Sequence, residues 1–340
     1  MQLQIQKIYK GMPQKEIEKI DEFILDPETN GEFINTIKYL SYHGNRFQED
    51  SVYVTDAENG SVMGVVMATV DQEHKSVISY GGTTFAGPVL NLKMSFQHCE
   101  AVMNLLLNYY EGRYQQVNFK VTPELYSRRQ NGVISYILLK RGYQYGMTAL
   151  SNVIDLFGVA GEDAVFGLYD SKRRNQIRKA IKNDLFTISK TDAVKKEIWS
   201  AMNQNLGSKF GVIATHSYEE ICELHQRFPE NIIPYEVYSK DGKYAAFALI
   251  YKFKNVFHTQ YLDVNYAFSR EYPNLFLLHY LIQEAANKKY RMFSFGASTE
   301  QGGKILNEGL FSYKQGYGGG SIILPVYQKE IQETCHENSI

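Results

Sequence analysis

Cysteine is scarce in this chain and badly placed for bonding. Cys99, Cys222 and Cys335 are far apart and odd in number, which argues against a disulfide framework, and their spacing is not that of a zinc site. Cys335-His336 lies in a polar tail. An excess of charge is missing too. Lys and Arg number 36 against 37 Asp and Glu, a formal net charge of -1. That excludes a general nucleic-acid coat but leaves room for a local basic patch. No window approaches the roughly 18 uninterrupted apolar residues of a membrane-spanning helix. The opening "MQLQIQKIYKGMPQKEIEKI" lacks the apolar centre of a signal peptide. The expectation is a cytoplasmic protein with no membrane span and no metal. Tryptophan is nearly absent, at one residue, whereas Tyr reaches 26 and Phe 19. Such an aromatic load serves core and hairpin packing, or an extended ligand surface.

What is present is an order of elements that occurs twice. A length of 340 residues corresponds to about two domains. In the first half, "SVYVTDAENGSVMGVVMATV" reads as two strands around Asn59-Gly60, and "HKSVISYGGTTFAG" as a third ending in glycines. "FQHCEAVMNLLLNYYEGR" has helical apolar spacing. A strand "QQVNFKV", a helix over "SYILLKRGY" and a last strand "ALSNVIDLF" follow. In the second half, "YEVYSKDGKYAAFALIYKF" predicts a hairpin on Asp241-Gly242. "NVFHTQYLDV" is a strand, "LFLLHYLIQEAANKKY" a helix, "RMFSFGAS" a strand, "KILNEGLFSYKQGY" a helix and "GSIILPVYQ" a closing strand. "LKRGY" (Leu139 to Tyr143) and "YKQGY" (Tyr313 to Tyr317) occupy the same place in the two halves. Both fit a helix whose last-turn lysine suits the dipole and whose glycine releases the chain through the left-handed region.

Between the halves, "YDSKRRNQIRKAIKN" concentrates Lys172, Arg173, Arg174, Arg178, Lys179 and Lys182. Ile177, Ala180 and Ile181 supply one apolar face, and Asp170 or Ser171 can cap the helix. The basic face is either solvated or a phosphate grip by arginine forks. "AVKKEIWSAM" and "SYEEICELHQRF" read as two more helices.

These residues carry a resemblance. "FINTIKYLSYHG", "TTFAGPV", "SKRRNQIRKAIKN" and "FSFGASTEQGGKILNEGLFSYKQGYGG" are similar to stretches of the FemAB-type acyltransferases, tandem Gcn5-related N-acetyltransferase (GNAT) folds. The likeness spans about residues 15 to 328. It implies an α/β (α+β) fold of two GNAT-like domains, each a mixed, mostly antiparallel sheet flanked by helices, packed side by side. The domains expected are 1–157 (acceptor side), 158–328 (catalytic) and a tail, 329–340.

The resemblance implies transfer of an acyl or aminoacyl group to an amine. The span from Lys182 to Pro234, broken by "NLGSKFG", is too short for the long helical arm of many tRNA-using members. That favours an acyl-CoA such as acetyl-CoA as co-substrate. The acceptor expected is an amino sugar or nucleotide-linked cell-envelope precursor. An aminoacyl-tRNA-dependent peptidoglycan-type ligase and a catalytically silent binding protein remain as alternatives. The family's aromatic-lysine pair falls on Tyr313 and Lys314, with Tyr where Phe is more usual, and Lys314 would polarise the acyl carbonyl. Glu236, His258 and Asp263 stand on strands as candidate bases, although a substrate phosphate can also serve. Arg173, Arg174 and Arg178 would hold phosphates. The loop before the next helix, with Ser269 and Arg270, is the place for a CoA pyrophosphate but lacks the usual glycines. His43, Thr83 and Thr84 are placed on the acceptor side.

Overall fold

The computed structural model describes residues 2–129, 132–146 and 149–332. Cys335 and His336 fall outside them. Two compact units emerge, Met1–Thr148 with Ile323–Ile340, and Ala149–Ile322.

The first unit opens with β1 (Leu3–Lys7), α1 (Gln14–Leu25) and α2 (Ile37–Leu40). Then come β2 (Gln48–Glu49), β3 (Val52–Asp56), β4 (Val62–Val66), β5 (Thr69–Asp71), β6 (Ser76–Ile78) and β7 (Val89–Leu90). It continues through α3 (Phe96–Glu111), β8 (Gln116–Lys120), α4 (Val133–Lys140) and β9 (Gln144–Tyr145). The expected hairpin forms as β3–β4, with Gly60 at φ 72° in its turn. Helix α3 begins where Ser95 accepts from the His98 amide at 3.3 Å. Its Cys99, Val102, Met103, Leu106, Leu107 and Tyr110 are buried, one stripe of the helical period. They join Val52, Val54, Phe119, Leu138 and Tyr143 in the core.

The second unit begins with β10 (Ala149–Asp155), α5 (Glu162–Leu168), α6 (Ser171–Asn183) and β11 (Phe186–Lys190). Next are α7 (Lys196–Phe210), α8 (Tyr218–Arg227), β12 (Ile232–Ser239), β13 (Tyr244–Lys252), β14 (Val256–Val264) and α9 (Pro273–Asn287). It ends with β15 (Met292–Ala297), β16 (Thr299–Glu300), β17 (Ile305–Leu306), α10 (Glu308–Gln315) and β18 (Gly320–Leu324), and β19 (Val326–Glu330) returns to the first unit. One seven-stranded sheet runs β11-β12-β13-β14-β15-β10-β18. Apolar residues of α9, among them Leu277, Leu278, Leu281 and Ile282, pack with Ala246, Ala248 and Ile250 of β13. Asp170 caps the basic helix α6, accepting from the Arg173 amide at 2.6 Å.

The compact units divide at 148/149, with β10 paired to β15. Some expected elements need correction. The single closing strand is two. Pro325 has no amide to continue a ladder, so β18 stays with β10 while β19 pairs with β8 and β9. The last helix is shorter than its apolar spacing implied. Asn307 caps it, accepting from the Leu310 amide, and the preceding residues form the β16–β17 pair. Gly142 leaves its helix at φ 83° as expected, but Gly316 stays right-handed and Gly318 makes the turn at φ 80°. A Cβ on Gly318 would lie 1.9 Å from the Leu168 carbonyl oxygen. Gly318→Ala is therefore expected to cost about 2–4 kcal/mol through strain and displacement together, seen as a lower midpoint in urea unfolding. A midpoint equal to wild type would disprove that close approach.

Candidate active site in the second unit

The site is built where two parallel strands part. β14 and β15 pair from Val256–Met292 to His258–Ser294 and no further. An extra residue, Gln260, bulges β14 just beyond, since Leu249 faces Tyr261 while Ile250 faces Thr259. Past the parting point, the carbonyls of Gly296 and Ala297 accept hydrogen bonds from Lys314 Nζ at 3.0 and 2.8 Å. Lys314, on the last turn of α10, is only 7% exposed. Its burial lowers the ammonium pKa to about 8, because a charge loses hydration there. Lys140, its counterpart in the first half, is exposed and paired with Glu100 at 2.7 Å. The two motifs are therefore not equivalent.

His258 stands beside Lys314. Its Nδ1 lies 3.0 Å from Ser294 Oγ. Burial, and then the Lys314 charge, lower its pKa to about 4, so the ring is neutral near pH 7. Strand register puts the three sequence-selected candidate bases on one face. Glu236 faces Phe247, Phe247 faces Asp263, and Tyr251, on the same side of β13, faces His258. This face is opposite the α9 core. The two carboxylates are already engaged. Glu236 is fully buried, and its Oε2 accepts from Lys195 Nζ at 2.6 Å and Tyr238 Oη at 2.8 Å. Asp263 accepts from Asn205 Nδ2 at 2.9 Å and Tyr244 Oη at 2.6 Å. Lys195 and Ser294 had no signal in the sequence, because only strand pairing brings them to these partners.

On its other side α10 lines a cleft of about 490 Å³, together with the starts of α6 and α9. Lys172, Arg173, Gln176, Ser269, Tyr272, Asn274 and Tyr313 contribute to its wall. The Arg173 guanidinium lies 4.5 Å from the Tyr313 ring and 4.6 Å from that of Tyr317, and donates to the Tyr313 carbonyl at 2.9 Å. Tyr313 Oη accepts from Asn274 Nδ2 at 3.0 Å. So Tyr313 fixes an arginine on one side while the next residue, Lys314, reaches β15. Of the remaining expected residues, Ser269 lines the cleft; Arg174, Arg178 and Arg270 do not. Arg178 instead lies against Phe166 at 5.4 Å, and Arg270 is exposed.

His43, Thr83 and Thr84 belong to the first unit. His43 is 6% exposed among Tyr42, Phe47 and Tyr80. Thr83 Oγ1 donates to the Tyr80 carbonyl at 3.2 Å, and Thr84 is exposed.

This parting of strands beside a helix start defines a GNAT fold. Residues 171–315 match the acetyltransferase (GNAT) domain family. The whole chain is similar to FemX, with a TM-score of 0.67 at 11% identity, over 95% of this chain and 96% of that one. It also resembles L-PGS from Bacillus licheniformis (TM-score 0.56, 11% identity, 96% and 94% covered). A tandem GNAT protein of the clavulanic acid biosynthesis pathway gives 0.55 at 9% identity, covering 98% and 100%. No curated protein matches the chain. Residues 171–315 thus carry a GNAT acetyltransferase domain, and the chain as a whole has the fold of tandem-GNAT proteins. No group of three or more metal-ligating side chains occurs among the described residues, and no described helix is long and apolar enough to cross a membrane.

Proposed function

We propose that the chain is an N-acyltransferase that takes its acyl group from an acyl-CoA, such as acetyl-CoA. The acceptor is the amine of an amino sugar or nucleotide-linked cell-envelope precursor. The observation that carries this reading is the 490 Å³ cleft at the start of α9, with Lys172, Arg173 and Ser269 in its wall. Its size is within the usual few hundred Å³ of a small-molecule site. The glycine-rich pattern is absent, yet Tyr272 takes the left-handed conformation at φ 62°. The amides of Arg270, Tyr272 and Asn274 donate to no acceptor among the described residues. Free amides at such a turn and at a helix start favour a phosphate. The acyl carbonyl would then meet Lys314, whose ammonium has an N–H left after its two carbonyl bonds. A phosphate of the acceptor, or neutral His258, would take the amine proton.

Pro273 favours a second reading. It occupies the first position of α9 and has no amide, so the helix offers a pyrophosphate one donor fewer. An aminoacyl-tRNA donor would need less there.

A thermal-shift series with CoA, acetyl-CoA, longer acyl-CoAs and UDP-amino sugars separates the readings. A ligand at 100 times its Kd adds about 2.7 kcal/mol. A shift with an acyl-CoA that disappears in Arg173→Gln supports the first reading. No shift with any CoA, alongside a shift with an aminoacylated tRNA-end analogue, moves the donor to tRNA. Activity also has an expected pH dependence. Lys314 loses its proton as pH rises through about 8, so its cationic support of the carbonyl oxygen fades above that value. The rate should therefore fall on that limb in wild type, and the fall should move to higher pH in Lys314→Arg. An unmoved limb would remove Lys314 from that role.

A further inference from the structure

Hydroxyl protons beneath the parting strands decide which nitrogen of His258 is free. The residue is only half-buried. Its Nε2 has no partner among the described residues and is not sealed from solvent. Its Nδ1 lies 3.0 Å from Ser294 Oγ. Ser294 is fully buried and also accepts from the Gly296 amide at 3.2 Å. The Ser294 Oγ lies 3.5 Å from that of Ser151, which is buried too and has no other side-chain partner among the described residues. The Gly296 amide can only donate, so the remaining protons can be counted. In one arrangement Nδ1–H donates to Ser294, and Ser294 donates to Ser151. The Ser151 proton is then buried without an acceptor, a costly and rare state. In the other, Ser151 donates to Ser294 and Ser294 donates to Nδ1. Every buried hydroxyl proton is then used, and the proton of the neutral ring stands on Nε2.

The surroundings suit a donor at that place. β14 and β15 pair as far as His258–Ser294 and then part. A Cβ on Gly296 would lie 3.3 Å from Cε1 and 3.8 Å from Nε2 of His258, so the missing side chain keeps the space beside Nε2 open. The carbonyl of the same Gly296 holds Lys314 Nζ at 3.0 Å. Phe253 packs edge-on against the imidazole, with ring centroids 5.9 Å apart. A lysine ammonium and an imidazole N–H therefore flank one glycine. Burial, and then the Lys314 charge, hold the His258 pKa down at about 4. The ring thus stays neutral, and a neutral imidazole can polarise a carbonyl without setting a second cation beside the first.

We propose that His258 donates a hydrogen bond to the acyl carbonyl oxygen, together with Lys314, and that Ser294 is the positioning residue that fixes the donating form. The inference rests on the acyltransferase reading. The amine nitrogen attacks the carbonyl carbon, and the C=O electron pair moves to the oxygen between the two donors. Collapse of this intermediate breaks the C–S bond and expels the CoA sulfur as a thiolate. A ring protonated at Nε2 offers the amine no lone pair, so the amine proton passes to a phosphate of the acceptor, and the thiolate takes a proton from that phosphate in turn. His258, selected in the sequence as a candidate base, thereby receives the opposite role.

The test begins with the full chain, without substrate, carrying isotope-labelled histidine nitrogens. Long-range proton–nitrogen correlation spectra at neutral pH tell a protonated Nε2 from a protonated Nδ1 by their couplings to the ring carbon protons. His258→Gln assigns the signal by its loss. The expected result is a protonated Nε2 in wild type and a shift toward protonated Nδ1 in Ser294→Ala. Transfer is then measured with acetyl-CoA and UDP-glucosamine. His258→Ala should lower the rate about 10²–10³-fold, the scale of one lost donor. His258→Gln keeps an N–H donor but cannot serve as a base, and should be at least tenfold faster than His258→Ala. Ser294→Ala should lower kcat at least tenfold, with KM for acetyl-CoA within threefold of wild type. A bare Nε2 in the wild-type spectrum, or a His258→Gln no faster than His258→Ala, would overturn the proposal. The spectrum is read without substrate, so a protonated Nε2 that depends on Ser294 supports the donating form even where these probes give no product, and the two readings fail separately.

Discussion

Lys314→Met is expected to lower acyl transfer by about 10²–10³-fold, the scale of one lost oxyanion donor. The side chain ends at the Gly296 and Ala297 carbonyls, just past the point where β14 and β15 separate. A donor held there is pre-ordered by the backbone and shielded from water, which is where a charge contributes most to a developing oxyanion. Methionine keeps the length and removes the charge. It also leaves two carbonyls short of a partner, at about 1–3 kcal/mol each at most, so rate and fold must be read separately. Single-turnover rates with saturating donor, compared with circular dichroism and donor affinity, do this. A folded variant with donor affinity within threefold and a much reduced rate supports the role. A folded variant that transfers at nearly the wild-type rate would reduce Lys314 to a structural tie.

The second large effect concerns stability in the first unit. Asp50 accepts hydrogen bonds from Tyr109 Oη at 2.7 Å and Tyr114 Oη at 2.8 Å, and pairs with Lys7 at 3.1 Å. Its own carbonyl takes the Tyr110 hydroxyl at 2.9 Å. One residue between β2 and β3 thus binds helix α3, the loop after it, and β1. Two charge-assisted bonds of about 1.5–3 kcal/mol each are at stake, and buried hydroxyls are left behind. Asp50→Ala should therefore cost about 3–5 kcal/mol, measured by urea unfolding of the whole chain. Lys7 is mostly exposed, so Lys7→Met should cost about 1 kcal/mol or less. Equal losses in the two variants would mean that the ion pair, not the tyrosine bonds, is what matters at Asp50.

Local pattern made much of the architecture legible. The buried stripe of α3, the Asn59-Gly60 and Asp241-Gly242 turns and the capped basic helix α6 all lie where residue spacing places them. Each depends on neighbours within a few positions. The site was legible in part. Tyr313 and Lys314 were singled out by motif, and Arg173 by the density of cations around it, and α10, α6 and α9 bring Arg173 and Tyr313 to one cleft. Arg174, Arg178 and Arg270 carried the same charge signal but stand outside that cleft. A helix displays cations all round, and only its packing selects the ones that turn inward.

By itself, then, the sequence determined the elements, the doubling of their order and the residue types available for chemistry, because periodicity and turn preference are short-range properties. Tertiary structure alone decided the rest. It assigned β10 and β18 to one sheet and β19 to another, with Pro325 as the break. It brought Glu236, Asp263 and His258 to one face through register and a bulge. It also separated two matching lysines, leaving Lys140 in solvent and burying Lys314 against the carbonyls of a strand seventeen and eighteen positions earlier. Burial and strand partner depend on residues distant along the chain, and they set the electrostatics on which the proposed chemistry relies.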